Sequence, residues 1–93
     1  MKFIWDENKN LSNQKKHKIS FETASLIFND PMLISELGGR FAYSEERWQS
    51  IGLAEKILLS VAHVMEEWYE EEIIRIVSAR KAGPYQARRY YYD

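Results

Sequence analysis

The sequence lacks cysteine altogether and has only four glycines and two prolines among its 93 residues. The absence of cysteine excludes disulfide bonds, thiol catalysis and thiolate metal sites, and it suits a reducing compartment. The longest apolar run, Ile57 to Val64, is interrupted by Ser60 and His63 and is far shorter than the roughly 20 residues that cross a membrane. Polar residues begin at Asp6, so the N-terminus lacks a signal-peptide pattern. We therefore expect a cytoplasmic protein without membrane association.

Hydrophobic residues nonetheless make up 45% of the chain and aromatic residues 14%. This is enough apolar surface for one small core, and the length predicts a single domain, residues 1–93. A domain of this size gains little stability beyond the entropy cost of folding. We therefore expect oligomerisation or a partner chain.

The formal net charge is only −1, which by itself predicts no nucleic-acid partner. The charges are nevertheless segregated along the chain. Residues 1–20 carry five lysines against two acids, a net +3; residues 21–72 carry eleven acids against three bases, a net −8; residues 73–93 carry five bases against one acid, a net +4. Two interpretations stay open: the basic ends form a functional surface, or basic and acidic segments neutralise each other in the fold.

The N-terminal third is predicted to be a short strand followed by two helices. The strand covers Lys2–Trp5, and a polar helix at Glu7–Lys18 follows, N-capped by Asp6 and anchored by its single large apolar residue, Leu11. A second helix, Phe21–Phe28, has an apolar stripe at helical spacing. It ends before the next proline, because the residue that precedes a proline avoids the α region.

The rest of the chain is predicted to form an antiparallel β-meander and a short C-terminal helix. Strands are expected at Met32–Leu37, at Arg40–Trp48, from Trp48 to about Leu53, at Ile57–Val64 and at Ile73–Ala79. Gly38-Gly39 indicates a hairpin turn, and the acidic segment Met65–Glu72 a connecting turn. Pro84 opens the terminal helix. With helices segregated from an antiparallel sheet, the fold class is α+β.

Most motifs of catalysis are missing. His17 and His63 fall on different predicted elements and no metal-ligand spacing occurs, so we predict neither a metal nor a cofactor. There is no G-x-S-x-G motif, and Ser78 is expected to be a small packed strand residue. His63 lies in an apolar strand, where a hydrogen-bonded core histidine is expected.

Two basic clusters remain as candidates for RNA chemistry. At the C-terminus, Arg88 and Arg89 alternate with tyrosines at positions 85, 90, 91 and 92; arginine binds phosphate and tyrosine stacks on unpaired bases. The tyrosines could instead dock the helix onto its own sheet. In the N-terminal helix, Lys16 and His17 share a face with Asn13.

RNA cleavage without a metal needs a base for the 2′-hydroxyl, an acid for the leaving oxygen and cations for the charge on phosphorus. Histidine, as a residue type, suits both proton roles near neutrality. The alternative for His17 is an exposed histidine that interacts with the C-terminal end of its helix.

An ordered set of residues runs through nearly the whole chain. It comprises Trp5-Asp6, Lys9, Asn13, Lys16-His17 and Phe21-Glu22-x-Ala24, then Phe28, Asp30-Pro31 and Glu45-Glu46-Arg47-Trp48-x-x-Ile51-Gly52, and finally Ile74–Arg80, Ala82 and Arg88-Arg89-x-Tyr91. In this order the residues resemble the BrnT family of toxins from bacterial toxin–antitoxin systems.

The resemblance implies a fold similar to RelE-type ribonuclease toxins and RNA cleavage that arrests translation. It also implies neutralisation by a BrnA-type antitoxin, as part of a heterotetramer or beside a homodimer of the toxin, with operator DNA bound only through the antitoxin complex. By the same resemblance, Arg75 and Arg80 stabilise phosphate charge, and His17 or Lys16 transfers protons or contacts the RNA. The RNA-binding residues it implies are Arg47, Arg88, Arg89 and Tyr91.

Two other functions stay open. One is a non-enzymatic module that binds an antitoxin and helps to repress a promoter, with the acidic middle of the chain as the dock for basic segments. The other is a general RNA-binding protein, which would bind RNA in a salt-sensitive way without cleaving it.

Overall fold

The computed structural model describes residues 1–40 and 45–92, without the side chains of residues 39 and 40. The elements, in chain order, are β1 (Lys2–Ile4), α1 (Glu7–His17), α2 (Phe21–Ser25), a 3₁₀ helix (Leu26–Asn29), β2 (Ile34–Arg40), β3 (Glu46–Ala54), β4 (Ile57–Trp68), β5 (Glu71–Lys81) and α3 (Pro84–Tyr92). The α+β class, the two N-terminal helices and the C-terminal helix are confirmed.

The five strands form one sheet in the order β1-β5-β4-β3-β2. β2 to β5 pair antiparallel with their sequence neighbours, as the meander prediction requires. The prediction of a purely antiparallel sheet is wrong, because β1 pairs parallel with β5, Phe3 opposite Ile74. The helices separate β1 from β2 in the chain, so β1 does not form a hairpin with β2. It pairs instead with β5, at the opposite edge of the sheet.

Gly38 and Gly39 do not form the predicted turn but lie inside β2. The pairing of β2 with β3 shifts between Leu37 and Gly39, and glycine inside a strand often marks such a bulge. The two strands predicted at Arg40–Trp48 and from Trp48 to Leu53 correspond to a single strand, β3, which begins at Glu46. Arg40 is instead the last residue of β2, and residues 41–44 lie outside the described part of the chain.

The acidic segment Met65–Glu72 is also not a long turn. β4 extends to Trp68 and β5 begins at Glu71, so only Tyr69 and Glu70 form the turn. Both have positive φ, 51° and 68°, as in a type I′ turn, whose twist matches that of paired strands. The acidic side chains are tolerated because this end of the hairpin extends beyond the core and is mostly exposed to water.

The core lies between the sheet and the segment formed by α2 and the 3₁₀ helix. The predicted apolar stripe is confirmed, since Phe21, Ala24 and Ile27 are fully buried, although the α-helix ends at Ser25 and the 3₁₀ helix continues the segment. Close contact with β3 depends on Gly52, where an added Cβ would lie 3.0 Å from the Cβ of Ile27.

α1 is held by asparagines instead of the predicted anchor. Leu11 is exposed, whereas Asn10 and Asn13 are buried. The cap prediction is confirmed, because the Asp6 carboxylate accepts hydrogen bonds from the backbone N–H groups of Asn8 and Lys9. The Asn13 amide bonds the backbone of β5, which places α1 beside the part of β5 that β1 leaves unpaired.

Candidate active site

A bulge in β5 decides where the two strand arginines point. Arg80 pairs with Ser60 and Arg75 pairs with Val64, so an interval of five residues on β5 lies opposite an interval of four on β4, with the extra residue at Val77. Side chains alternate along a regular strand, and directly paired residues share a face. Without the bulge, an odd separation would point Arg75 and Arg80 to opposite faces; with it, both project from the face opposite α2.

Arg47 projects from the same side of the sheet. Ile51 of β3 pairs with Ser60, and Ser60 pairs with Arg80, so Ile51 faces the same side as Arg80. Arg47 lies four residues before Ile51 on β3, and an even interval keeps it on that side. We call this side, defined by Arg47, Arg75 and Arg80, the arginine face. Three of the predicted site residues thus share one surface.

Arg75 is already neutralised on this face. Its guanidinium donates to Glu66 at 3.0 Å and to Glu45, forming a salt bridge with each carboxylate. The hydrogen bond to Glu66 is the main cause that raises the pKa of Arg75 above its ordinary value. Arg75 is therefore a cation held in place by two acids, and a phosphate would compete with them for it.

Arg80 is exposed and differs from Arg75 in its partners. Its guanidinium has one long hydrogen bond, 3.4 Å to the carbonyl oxygen of Lys81, and it forms no salt bridge with any carboxylate of the described residues. Its charge is thus available to an anion on the arginine face.

Lys16 and His17 line a pocket of about 200 Å³ between α1 and β5. The other residues that line it are Lys9, Ser12, Asn13, Val77 and Ser78. His17 is half-buried at the end of α1, and Lys16 is exposed. We call this cavity the α1–β5 pocket.

Ser78 connects the pocket to the arginine face. It pairs with Ala62, and it lies two residues before Arg80 on the strand, so its side chain projects from the arginine face. Ser78 also lines the pocket. It is exposed, so the prediction of a packed residue is wrong. Its pairing with Ala62 is the reason, because this pairing points the side chain away from the core side of the sheet. Lys16, His17 and Arg80 therefore border one continuous surface.

The predicted residues of α3 lie elsewhere on the sheet. Arg89 forms a salt bridge with Glu36 on β2, three strands from β5, which corresponds to about 14 Å. This contact lowers the pKa of Glu36. Arg88 and Tyr91 are exposed. These residues extend the basic surface but do not join the α1–β5 pocket.

Tyr90 docks α3 on its own fold, as one of the two interpretations of the tyrosines expects. It is buried, and its hydroxyl donates to Asp30. Burial, with the nearby Asp30 carboxylate, raises the pKa of Tyr90 to about 12. Burial also acts to raise the pKa of Asp30, but hydrogen bonds from Tyr90 and from the N–H groups of Leu53 and Met32 lower it on balance. Tyr90 is thus unable to stack on a base.

His63 is the predicted core histidine. It is fully buried, its Nε2 lies 2.6 Å from the Ser50 Oγ, and its ring meets Phe28 edge to face at 5.0 Å between centroids. Burial lowers the pKa of His63 to about 4, so the ring is neutral at neutral pH. It takes no part in the surface that Arg80 and His17 border.

A family model matches most of the chain. Residues 5–85 match the model described as ribonuclease toxin, BrnT, of type II toxin–antitoxin system. The chain belongs to the BrnT family. Membership implies an RNA substrate and an antitoxin partner. No curated protein sequence matches this chain significantly.

The BrnT match covers both sides of the α1–β5 pocket and all three arginines of the arginine face. It ends at Tyr85, so Arg88, Arg89 and Tyr91 lie beyond it. Of the residues that line the pocket, only Lys16 and His17 were predicted as site residues; the five that were missed are Lys9, Ser12, Asn13, Val77 and Ser78. A signal for the first three was present in the helical spacing, because residues 9, 12, 13 and 16 fall on one face of α1.

Two further observations on this BrnT chain concern metal ligands and membrane-spanning helices. Among residues 1–40 and 45–92, no three histidine, aspartate or glutamate side chains are grouped as metal ligands would be. Within the same ranges, no helix has the length and apolarity needed to cross a membrane.

Proposed function

We propose that this chain is a metal-independent endoribonuclease toxin of RelE-like architecture, which acts in the cytoplasm and arrests translation by cleaving RNA. The observation that carries the proposal is the bulge at Val77. It sets Arg80 and Arg75 on one face, and Ser78, which projects from the same face, lines the pocket that holds Lys16 and His17. Cations for a phosphate and a group that can move a proton thus border the same surface.

In the proposed reaction, His17 or Lys16 takes the proton of a ribose 2′-hydroxyl, and the 2′-oxygen attacks the neighbouring phosphorus. The bond from phosphorus to the 5′-oxygen breaks, and the leaving oxygen receives a proton from the other group or from water. The products are a 2′,3′-cyclic phosphate and a 5′-hydroxyl. Arg80, with Arg75, stabilises the negative charge that develops on the phosphoryl oxygens.

The test is cleavage of RNA by the purified chain in EDTA. Arg80→Ala is expected to reduce the rate by about 10²-fold or more, the usual size of an electrostatic contact made in the transition state. The matched control is Lys56→Ala, an exposed cation in the β3–β4 turn. Wild-type protein that leaves RNA intact, or that requires a divalent cation, would contradict the proposal.

Two single variants of adjacent residues test which of them transfers the proton. His17→Ala and Lys16→Ala are each compared with wild type in cleavage rate against pH. Loss of one limb of the pH–rate profile identifies the residue that transfers the proton, whereas a uniform decrease indicates RNA contact. If both variants cleave like wild type at every pH, neither residue has the proposed role.

We propose a BrnA-type antitoxin as the neutralising partner, in a heterotetramer that binds operator DNA through the antitoxin. Native mass of the chain alone and with the product of the neighbouring gene gives the stoichiometry. A homodimer of the toxin alone is the other possible assembly.

The second candidate function is a non-enzymatic module that binds the antitoxin and supports promoter repression. The observation that favours it is the state of the basic surface: Arg75 and Arg89 are already paired with carboxylates. Growth arrest on expression, relieved by the adjacent gene, favours the ribonuclease. Antitoxin binding without arrest favours the module.

A further inference from the structure

The α1–β5 pocket is basic in a way that the arginine face is not. Among the described residues, the ionisable ones that line it are Lys9, Lys16 and His17, and none of them carries a carboxylate. Neither lysine forms a salt bridge with an acid of the described residues. Arg75, by contrast, has two such partners. An anion entering the pocket therefore displaces no carboxylate.

The sequence of α1 explains how the two lysines converge. Lys9 and Lys16 are seven residues apart, two turns of helix and about 10 Å along its axis, and therefore on the same face. Ser12 lies between them. Lysine carries its ammonium on a long, flexible stem, so both ammonium groups can reach the space above Ser12.

The polar groups left to bind a ligand are hydroxyls and ammoniums. Both N–H bonds of the Asn13 amide are used, one on the carbonyl oxygen of Ile19 and one on that of Ala79, each at 2.8 Å. Ser12 and Ser78 supply the remaining hydroxyl donors of the lining. Two ammoniums and two hydroxyls around one cavity are suited to a phosphate, which accepts hydrogen bonds and carries negative charge.

The size and the lining of the pocket both limit what binds. At about 200 Å³ it is smaller than the roughly 300–1,000 Å³ of pockets that enclose drug-sized ligands. Its one amide side chain, that of Asn13, is committed to the backbone and so does not read a base edge. We infer that the α1–β5 pocket binds a single backbone phosphate of the RNA, through Lys9, Lys16 and the hydroxyls of Ser12 and Ser78, and contacts no base. This inference rests on the proposed function and adds Lys9, Ser12 and Ser78 to the RNA-binding residues. Any sequence preference then originates outside the pocket.

The experiment measures binding separately from cleavage. Fluorescent 2′-O-methyl oligonucleotides of uridine or of adenosine lack the attacking hydroxyl, and their affinity is measured by anisotropy over a range of salt concentrations. Lys9→Ala is expected to weaken binding about tenfold at low salt. It is also expected to reduce the slope of log affinity against log salt by about 0.7, the value of one phosphate contact on a single strand.

Lys15→Ala is the matched control, because Lys15 is an exposed lysine of the same helix that does not line the pocket. Both variants remove one positive charge, so a difference between them is specific to the pocket. The same loss on both oligonucleotides supports a contact to phosphate alone. Equal effects of Lys9→Ala and Lys15→Ala, a loss on only one oligonucleotide, or no binding by wild type would each overturn the inference. Binding that depends on Lys9 in a protein that cleaves no RNA would instead refute the proposed function and leave the phosphate pocket standing.

Discussion

The side chain of Asn13 replaces a missing strand beside Ala79. Its Nδ2 donates to the carbonyl oxygen of Ala79 at 2.8 Å, and its Oδ1 accepts from the N–H of Ala79 at 3.1 Å. These are the two backbone groups that a neighbouring strand would bond, and β1 pairs only with residues 73 to 75 of β5. One helical side chain thus satisfies the edge of the sheet at the pocket.

Asn13→Ala is expected to lower the free energy of unfolding by at least about 2 kcal/mol, because buried backbone groups lose their partner. The measurement is urea denaturation followed by circular dichroism. Ser12→Ala, at the exposed adjacent position, should change stability by less than about 0.5 kcal/mol. Equal stability of the two variants would show that water replaces the amide at no cost.

Glu66→Gln is expected to strengthen RNA binding two- to fivefold. It removes one of the two charges that neutralise Arg75, and a partly exposed ion pair is worth up to about 1 kcal/mol. The affinity of an uncleavable oligonucleotide at low salt measures the effect. Glu67→Gln, next to it but exposed, serves as the control for net charge. If both variants strengthen binding equally, Arg75 does not contact the RNA.

The buried His63 is expected to make the folded protein less stable in mild acid. Its pKa is lowered to about 4 in the folded protein by burial, while an unfolded histidine titrates near pH 6.5. Below that pH the unfolded chain binds a proton that the folded chain excludes, so stability falls from about pH 6.5 down to pH 4. The loss attributable to His63 should reach about 2 kcal/mol between pH 7 and pH 5.

His63→Gln removes this titration, and urea midpoints of both proteins at pH 7, 6 and 5 provide the comparison. The variant is expected to be less stable at pH 7 but to lose less stability on acidification. Parallel pH dependences of the variant and the wild type would contradict the assignment.

The β3–β4 turn offers a stabilising change. Glu55 and Lys56 have positive φ, 51° and 73°, a region that costs residues with a Cβ about 1 kcal/mol or more. Asn-Gly is the preferred pair in a type I′ turn, so Glu55→Asn with Lys56→Gly should raise Tm by about 4–8 °C. The same pair at Tyr69 and Glu70 should act similarly. If neither pair of substitutions changes Tm, the positive φ angles in these two turns do not destabilise the protein.

Local patterns in the sequence predicted the local elements of the fold. The stripe of Phe21, Ala24 and Ile27 identified the buried helix, and the apolar run from Ile57 identified the central strand, because periodicity and apolar content are properties of neighbouring residues. Asp6 and Pro84 marked helix starts for equally local reasons.

The remaining features depend on contacts between distant parts of the chain. Asn13 and Ala79 are 66 residues apart, and nothing in either segment indicates that an amide will seal the edge of β5. The site was predicted only as a set of residues that resembles a family. Strand pairing places Ser78 at the pocket and sets Arg75 beside the two carboxylates with which it forms salt bridges. The sequence alone did not reveal this pairing.

The bulge at Val77 makes the spacing of the arginines as informative as their identity. An interval of five between two arginines of one strand places them together only if an extra residue intervenes. Deleting Val77 would leave an interval of four, which keeps both arginines on one face of a regular strand. Losing the bulge while keeping the interval of five would separate them. When other chains of this family are aligned, an interval of five between these arginines therefore indicates a bulged strand and an interval of four a regular one.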